Sequence, residues 1–536
     1  MTQTTVVNGA VRTMAGTKAE AVAIEDGAIV LVGTNAEVLE WGQGSAEVID
    51  AGGASVLPGF IDAHNHVRLG GDSAAIQLFG ATSLEEIHAI ISAYLDEHPD
   101  VEWIEAEGWN YAAVPGGRPT ASMLDPATRG KPAWIFSYDV HTVWLNTEGM
   151  RRWGLGRGMT ELPFGRPEFD ETGEPTGWVH DFATMGIHPR GQAALEAVLP
   201  GYALDAQYEQ LVSNLSMAAR FGLTTVVEPQ NGMADIALFE RAHREGELRS
   251  RLVAALIHTP ESEPGSLDEI DAFIRDYRHD RISVGPIKLY IDDVIEPHTA
   301  AMLEPYANHP GRGSLFWSPP DFVDVLSDLD RRGLQAFIHA TGDRGIRVAL
   351  DAIETSAARV GPGDRRHQIV HVECLHADDI GRFASLGVVP CIQPRHCAPD
   401  IVTEWRENVG PARERYAWAM RSLMDSGARV AFSSDYNVAE MDPMVGLFTA
   451  LTRSDLSGRD AWNTKETITL DEALAAYTEG SAWANFLDNR RGRLQPGFQA
   501  DLVVLDRNLD DLGDPGELLA TSVARTIVAG EVVYEA

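Results

Sequence analysis

The feature that most constrains this chain is a rhythm. Between 203 and 435, helical stretches lead seven times into short apolar runs, at 223–228, 251–257, 287–291, 334–338, 368–371, 388–392 and 429–433. Gly222, Gly333, Gly387 and Gly427 stand where four of those helices should stop, in the left-handed position that suits glycine. An eighth run, 56–61, precedes them. The runs are apolar almost throughout instead of alternating, which is the pattern of parallel strands buried on both faces. Eight such strand–helix units favour a closed (β/α)8 barrel over an open sheet.

The two ends read differently. Residues 1–55 hold short strand-like runs at 5–7, 21–24, 28–32 and 48–49 with no helix of any length, and 501–506 and 526–534 are again strand-like. Neither piece is large enough for a core of its own. The expected fold is therefore α/β: a TIM-like barrel, a small β-sandwich built from both ends, and a large insertion after barrel strand one. The expected boundaries are 1–55 and 489–536 for the sandwich and 56–488 for the barrel, with the insertion at 68–200. Within the barrel, Ser266-Leu-Asp-Glu269 is read as capping the third helix. Six of the 12 tryptophans fall in the insertion, where they either line a substrate pocket or pack a subdomain; Trp109 and Trp144 are the candidates for substrate contact.

Charge narrows the partners. Lys plus Arg number 43 against 79 Asp plus Glu, a net charge of −36 that repels phosphate backbones and anionic membranes. No apolar run approaches the ~20 residues of a membrane span. Three cysteines with no CxxC spacing fit a reducing compartment, so a cytoplasmic location is expected. The expected partners are a small-molecule substrate and, at most, a second copy of the chain, with no nucleic acid and no membrane.

The ionisable groups then fall at strand ends, where barrel active sites are built. Strand one ends in His64 and His66, strand four carries Lys288, strand five ends in His339, strand six in His371 and strand eight in Asp435. Residues two apart on an extended backbone share a face, so His64 and His66 can reach one ion, and neutral imidazole is a common zinc ligand.

In its motifs the chain resembles the amidohydrolase superfamily, and within it amidohydrolase family 3, the YtcJ-like metal-dependent hydrolases, similar also to N-substituted formamide deformylases. The motifs that carry the resemblance are Pro58-Gly-Phe-Ile-Asp-Ala-His64-Asn-His66, Ile-Lys288-Leu-Tyr-Ile-Asp292, His339-Ala-Thr-Gly-Asp343, Ile-Val-His371-Val-Glu373 and Ser-Ser-Asp435, with the ending from Gly492 to Leu505. The resemblance implies a hydrolase with one or two divalent ions, zinc being the expected metal. His64, His66 and Asp435 would hold the first ion, His339 and His371 the second, and a carboxylated Lys288 would bridge them. An unmodified ammonium has no lone pair to offer; the plain alternative is a lysine paired with Asp292 or Glu228. Metal-activated water would then cleave a carbon–nitrogen bond of a small, partly hydrophobic amide, formamide or cyclic amide, with Asp435 carrying the proton. Asp343 and Glu373 are candidates for orienting ligand histidines, and His141 resembles a family element thought to face the substrate. Asp293 stands where relatives usually carry glycine, and Tyr436-Asn437 where small residues and proline are common. Cleavage of an ester or lactone on the same site, or a metal-stabilised binding or regulatory protein without turnover, stay open.

Overall fold

A computed structural model describes residues 3–42, 46–68, 76–159, 161–185 and 189–536. The chain divides into two compact units, one of Met1–Val67, Val212–Asp292 and Ala300–Ala536, the other of Arg68–Leu211 and Asp293–Thr299.

The first unit contains the barrel. Its eight strands follow one another around the sheet in chain order: Phe60–Asp62, Leu223–Asn231, Arg251–Ile257, Ile282–Tyr290, Ala336–Ala340, Gln368–His371, Val389–Ile392 and Ala431–Phe432. Neighbours pair parallel throughout. The circle closes by backbone bonds from Ala63 N–H to Phe432 (3.2 Å) and from Asp435 N–H to His64 (2.8 Å). Ile61, Val227, Val253, Phe337, Val370 and Val389 fill the interior with branched and aromatic side chains.

The run at 56–61 is not one strand. Ser55–Pro58 pairs with Ala10–Arg12 and Leu502–Leu505 in the sandwich, and the barrel begins only at Phe60. Gly59 makes the switch, because a Cβ there would lie 2.1 Å from the Thr224 side chain. The sandwich core draws on both ends, with Val6, Val22, Ile24 and Val56 packed against Leu494, Leu502, Val504 and Ile527. A buried pair joins sandwich to barrel, Arg251 Nε reaching Asp501 at 2.7 Å. The N-terminal piece also carries a helix, Asn35–Trp41, that strand patterning alone overlooks; its signal is the capping box of Thr34 and Glu37. Ser266, read as a cap, is instead the first helical residue after Gly265.

The insertion has its own six-stranded sheet, in the order Arg166–Phe169, Pro175–His180, Val143–Leu145, Ala133–Ser137, Ile104–Trp109 and Ile76–Gln77. Helix Leu84–Glu97 buries Ile87, Ile91 and Leu95 against that core. Trp109 and Trp144 are both 0% exposed, edge to face at 5.5 Å, and the Trp144 indole N–H donates to Thr120 O at 2.9 Å. The pair is therefore packing, which corrects their reading as substrate contacts. Burying an indole of about 200 Å² contributes roughly 5 kcal/mol, enough to make these two rings a main support of the unit.

Candidate active site

The end of barrel strand one is held by a carboxylate. Strand Phe60–Asp62 stops before the two histidines, so His64 and His66 lie on bent backbone beyond it rather than on an extended face. Asp62, fully buried, accepts from the backbone N–H groups of His64 (3.3 Å) and Ser434 (3.0 Å), from Asn65 Nδ2 (2.9 Å) and from Ser434 Oγ (2.6 Å). Four donors on one buried carboxylate join the loop after strand one to the loop after strand eight. Burial nonetheless pushes Asp62 up to about 6. Its signal was legible: an acid inside an otherwise apolar run.

The bend brings the two imidazoles together. Their ring centroids are 5.1 Å apart, and both Nε2 atoms point at one oxygen, Asp435 Oδ1, at 3.0 Å from His64 and 3.2 Å from His66. Yet Asp435 Oδ1 is buried without a hydrogen bond. Burial drives the His64 imidazole down to about 3, with Lys288 adding to the effect. Burial opposes ionisation of Asp435, but His64, His66 and His371 outweigh it and hold the carboxyl well below the usual range. The result is a buried anion and neutral imidazole converging with their lone pairs unshared.

His371 joins by a local twist of the backbone. Strand register pairs it with Ala340, one residue past His339, so regular alternation would turn the two histidines to opposite faces. At His371 and Val372 the backbone is left-handed, φ 78 and 50, and this re-aims the ring to within 4.5 Å of His339. Such a conformation costs of order 1–3 kcal/mol for a β-branched residue; Asp435 shares it, at φ 58. Gln393 Oε1 lies 3.0 Å from His371 Nδ1, so that nitrogen donates and Nε2 keeps its lone pair. Gln393 is fixed in turn by donating to Ser433 Oγ at 2.8 Å. One atom each from His64, His371 and Asp435 falls within 4.8 Å of the others, the geometry of a metal site.

Lys288 is buried beside them. Its Nζ lies 4.6 Å from the Tyr290 ring centre and 5.3 Å from that of Phe337, and its pKa falls to about 7 through burial. No carboxylate among the described residues pairs with it. Asp292 accepts instead from the backbone N–H groups of Ala301 (2.9 Å), Gly342 (3.0 Å) and Thr341 (3.1 Å). Glu228 lies 4.0 Å from His66 Nδ1.

The remaining expected residues separate. Asp343 does not orient a histidine; its carboxylate accepts from Leu303 N–H at 2.7 Å. Glu373 accepts from the Trp405 indole at 3.0 Å and forms a second candidate ligand group with His371 and His396. His141 belongs to the insertion, where its Nδ1 bonds the Asp293 carboxylate. Gln393 and His396 escape sequence reading because glutamine, though it directly follows the run 388–392, is not a usual ligand type, and His396 lies four residues past that run in no ligand spacing.

A buried carboxylate and imidazole set at the C-terminal ends of a (β/α)8 barrel is the arrangement of a candidate metal site. The chain belongs to the amidohydrolase family, whose model matches residues 47–534. As a member it acts on carbon–nitrogen bonds other than peptide bonds. It is similar to the N-substituted formamide deformylase of Arthrobacter pascens, 27% identical over 99% of this chain and 98% of that protein. It is also similar to protein LONG AFTER FAR-RED 3 of Arabidopsis thaliana, 28% identical over 96% of this chain and 88% of that one. Its fold is shared with an uncharacterized metal-dependent hydrolase of Pyrococcus horikoshii, at a TM-score of 0.72 and 23% identity over 96% of this chain and 98% of that one.

Proposed function

We propose that the chain hydrolyses an amide, formamide or cyclic amide of a small, partly hydrophobic substrate at a site for one or two divalent ions, zinc first among them. The observation that carries this is Asp435 Oδ1, buried without a hydrogen bond yet 3.0 and 3.2 Å from two imidazole nitrogens. Such a cluster is unfavourable unless a cation completes it. His64, His66 and Asp435 would hold a first ion, and His339 and His371 a second. When bound, a divalent ion supplies Lewis-acid polarisation of a carbonyl and water acidic enough to attack near neutral pH.

The chain's own residues do the rest. Asp435 takes the proton of the attacking water and returns it to the leaving nitrogen as the carbon–nitrogen bond breaks. Lys288, with its pKa near 7, offers a neutral amine whose lone pair can bond carbon dioxide; loss of the proton leaves a carbamate with two oxygens for the ions. Gln393 holds His371 in the tautomer that leaves Nε2 free to ligate. With Trp109 and Trp144 in the insertion core, the support for the substrate class is the likeness to the N-substituted formamide deformylase, which speaks for a formamide. Three buried, unpaired cysteines support a cytoplasmic setting. The alternative of a protein without turnover is disfavoured because all six candidate residues, Asp435 included, are present.

The test is elemental analysis of the purified protein joined to a panel of formamides, cyclic amides, esters, lactones and phosphoesters. One to two ions per chain, chelator-sensitive turnover and a preference for amides are expected. A metal-free protein whose activity ignores chelators overturns the reading.

A further inference from the structure

His396 lies on a short helical turn, Pro394–Cys397, after barrel strand seven. Its side chain is only 9% exposed, and Nε2 is buried without a hydrogen-bond partner. That nitrogen is 3.8 Å from Asp435 Oδ2. The gap is too long for a direct hydrogen bond. It is short enough for a single oxygen to lie about 2.8 Å from both atoms.

The turn is anchored. His396 N–H donates to Gln393 O at 3.2 Å, and the preceding Arg395 grips Asp400 at 2.7 Å and Glu440 at 2.9 Å. A neutral imidazole has one N–H to give. An oxygen in the gap that donates to the carboxylate needs a donor facing its lone pair, and Nε2–H is placed to be that donor. His371 and Glu373 are the other groups within ligand distance of His396, which makes metal ligation the competing role.

We infer that His396 donates a hydrogen bond from Nε2 to the oxygen that attacks the substrate, holding it against Asp435. The inference rests on the reading of Asp435 as the base. As attack proceeds, the oxygen bonds to the carbonyl carbon and its proton passes to Asp435. The carbonyl π pair moves onto the carbonyl oxygen. His396 transfers no proton; its hydrogen bond orients the attacking oxygen toward carbon and Asp435, while the negative charge gathers on the carbonyl oxygen.

The experiment compares His396→Ala, His396→Gln and Asp435→Asn with the unaltered enzyme, measuring metal content, kcat and KM on the best substrate of the panel, and inhibition by methylphosphonate, whose tetrahedral oxygens mimic the adduct. His396→Ala should keep its metal and lose about 10²-fold in kcat with KM changed by less than about threefold. Methylphosphonate should bind it about tenfold more weakly, and His396→Gln, which retains a donor, should recover part of both losses. Unchanged kcat and inhibition in His396→Ala overturn the inference. So does loss of metal, which would make His396 a ligand. Should His396→Ala not fold, the same comparison is read from His396→Gln against His396→Phe. Wild-type turnover in Asp435→Asn refutes the base itself, and the inference falls with it. Loss of turnover there with normal His396 variants refutes only the role of His396.

Discussion

The barrel and the insertion both bury ionisable groups, and they move them in opposite directions. Around Asp435 the carboxyl is held low by imidazoles, while burial strips the proton from His64 and lowers Lys288 to about 7. These three groups are each pushed toward the form with an unshared lone pair. In the insertion, Asp139 is pushed up by burial although Tyr111 Oη (2.9 Å), His141 N–H (3.0 Å) and Ser137 Oγ donate to it. Glu296 rises to about 7, through burial and the charge of Asp139. Burial is common to both regions; the neighbours differ. Imidazoles and an amine leave lone pairs that suit a cation, whereas clustered carboxylates supplied with hydroxyl and N–H donors close into a network that takes up protons.

The sharpest way to break this contrast is Asp435→Asn, expected to lower kcat by at least about 10²-fold with the fold intact. Metal content measured on the same sample separates lost ligation from lost proton transfer, and near-normal turnover would move the base elsewhere.

The next effect belongs to the insertion. Trp109→Ala should destabilise that unit by about 3–5 kcal/mol, the cost of emptying a buried aromatic site. Urea unfolding followed by tryptophan fluorescence checks it. Unchanged stability with a raised KM would return Trp109 to the substrate.

A pH series sharpens the comparison further. Glu296 has a folded value near 7 against an ordinary 4.5, so the folded insertion binds more protons than the unfolded chain between these values. Its stability should therefore fall as pH rises from 4.5 to 7, by about 1–3 kcal/mol. Glu296→Gln should flatten that slope in melts taken across the window. A slope that persists in this variant would place the titrating group elsewhere.

The smallest expected change is Tyr111→Phe, which removes one donor from Asp139 and should cost about 1 kcal/mol. Because other donors remain, activity should be unaffected; a loss of kcat comparable to that of Asp435→Asn would show that the network takes part in the chemistry.

The sandwich was legible because neither end of the chain holds enough apolar surface alone, and the barrel because eight buried strands at regular spacing admit few other closures. The candidate ligands were legible too, since imidazoles and an aspartate at strand ends are chemically conspicuous. Where the sequence misled, the cause was a break in local regularity. The run at 56–61 looked continuous because hydrophobicity does not record that Gly59 passes the chain from one sheet to another. Asp343 lies close in sequence to a candidate ligand histidine, yet the helix it opens turns its carboxylate to Leu303 N–H.

By itself, then, the sequence determined the number and order of the barrel strands, their burial and the residues available for chemistry, because apolar periodicity and residue type are local properties. Only the tertiary structure decided that His371 turns inward through a left-handed backbone, that Gln393 selects its tautomer, that Trp109 and Trp144 are core, and that His396 faces Asp435. These depend on contacts between residues far apart in the chain, and on backbone conformations that most residues adopt only when the surrounding fold compensates the strain.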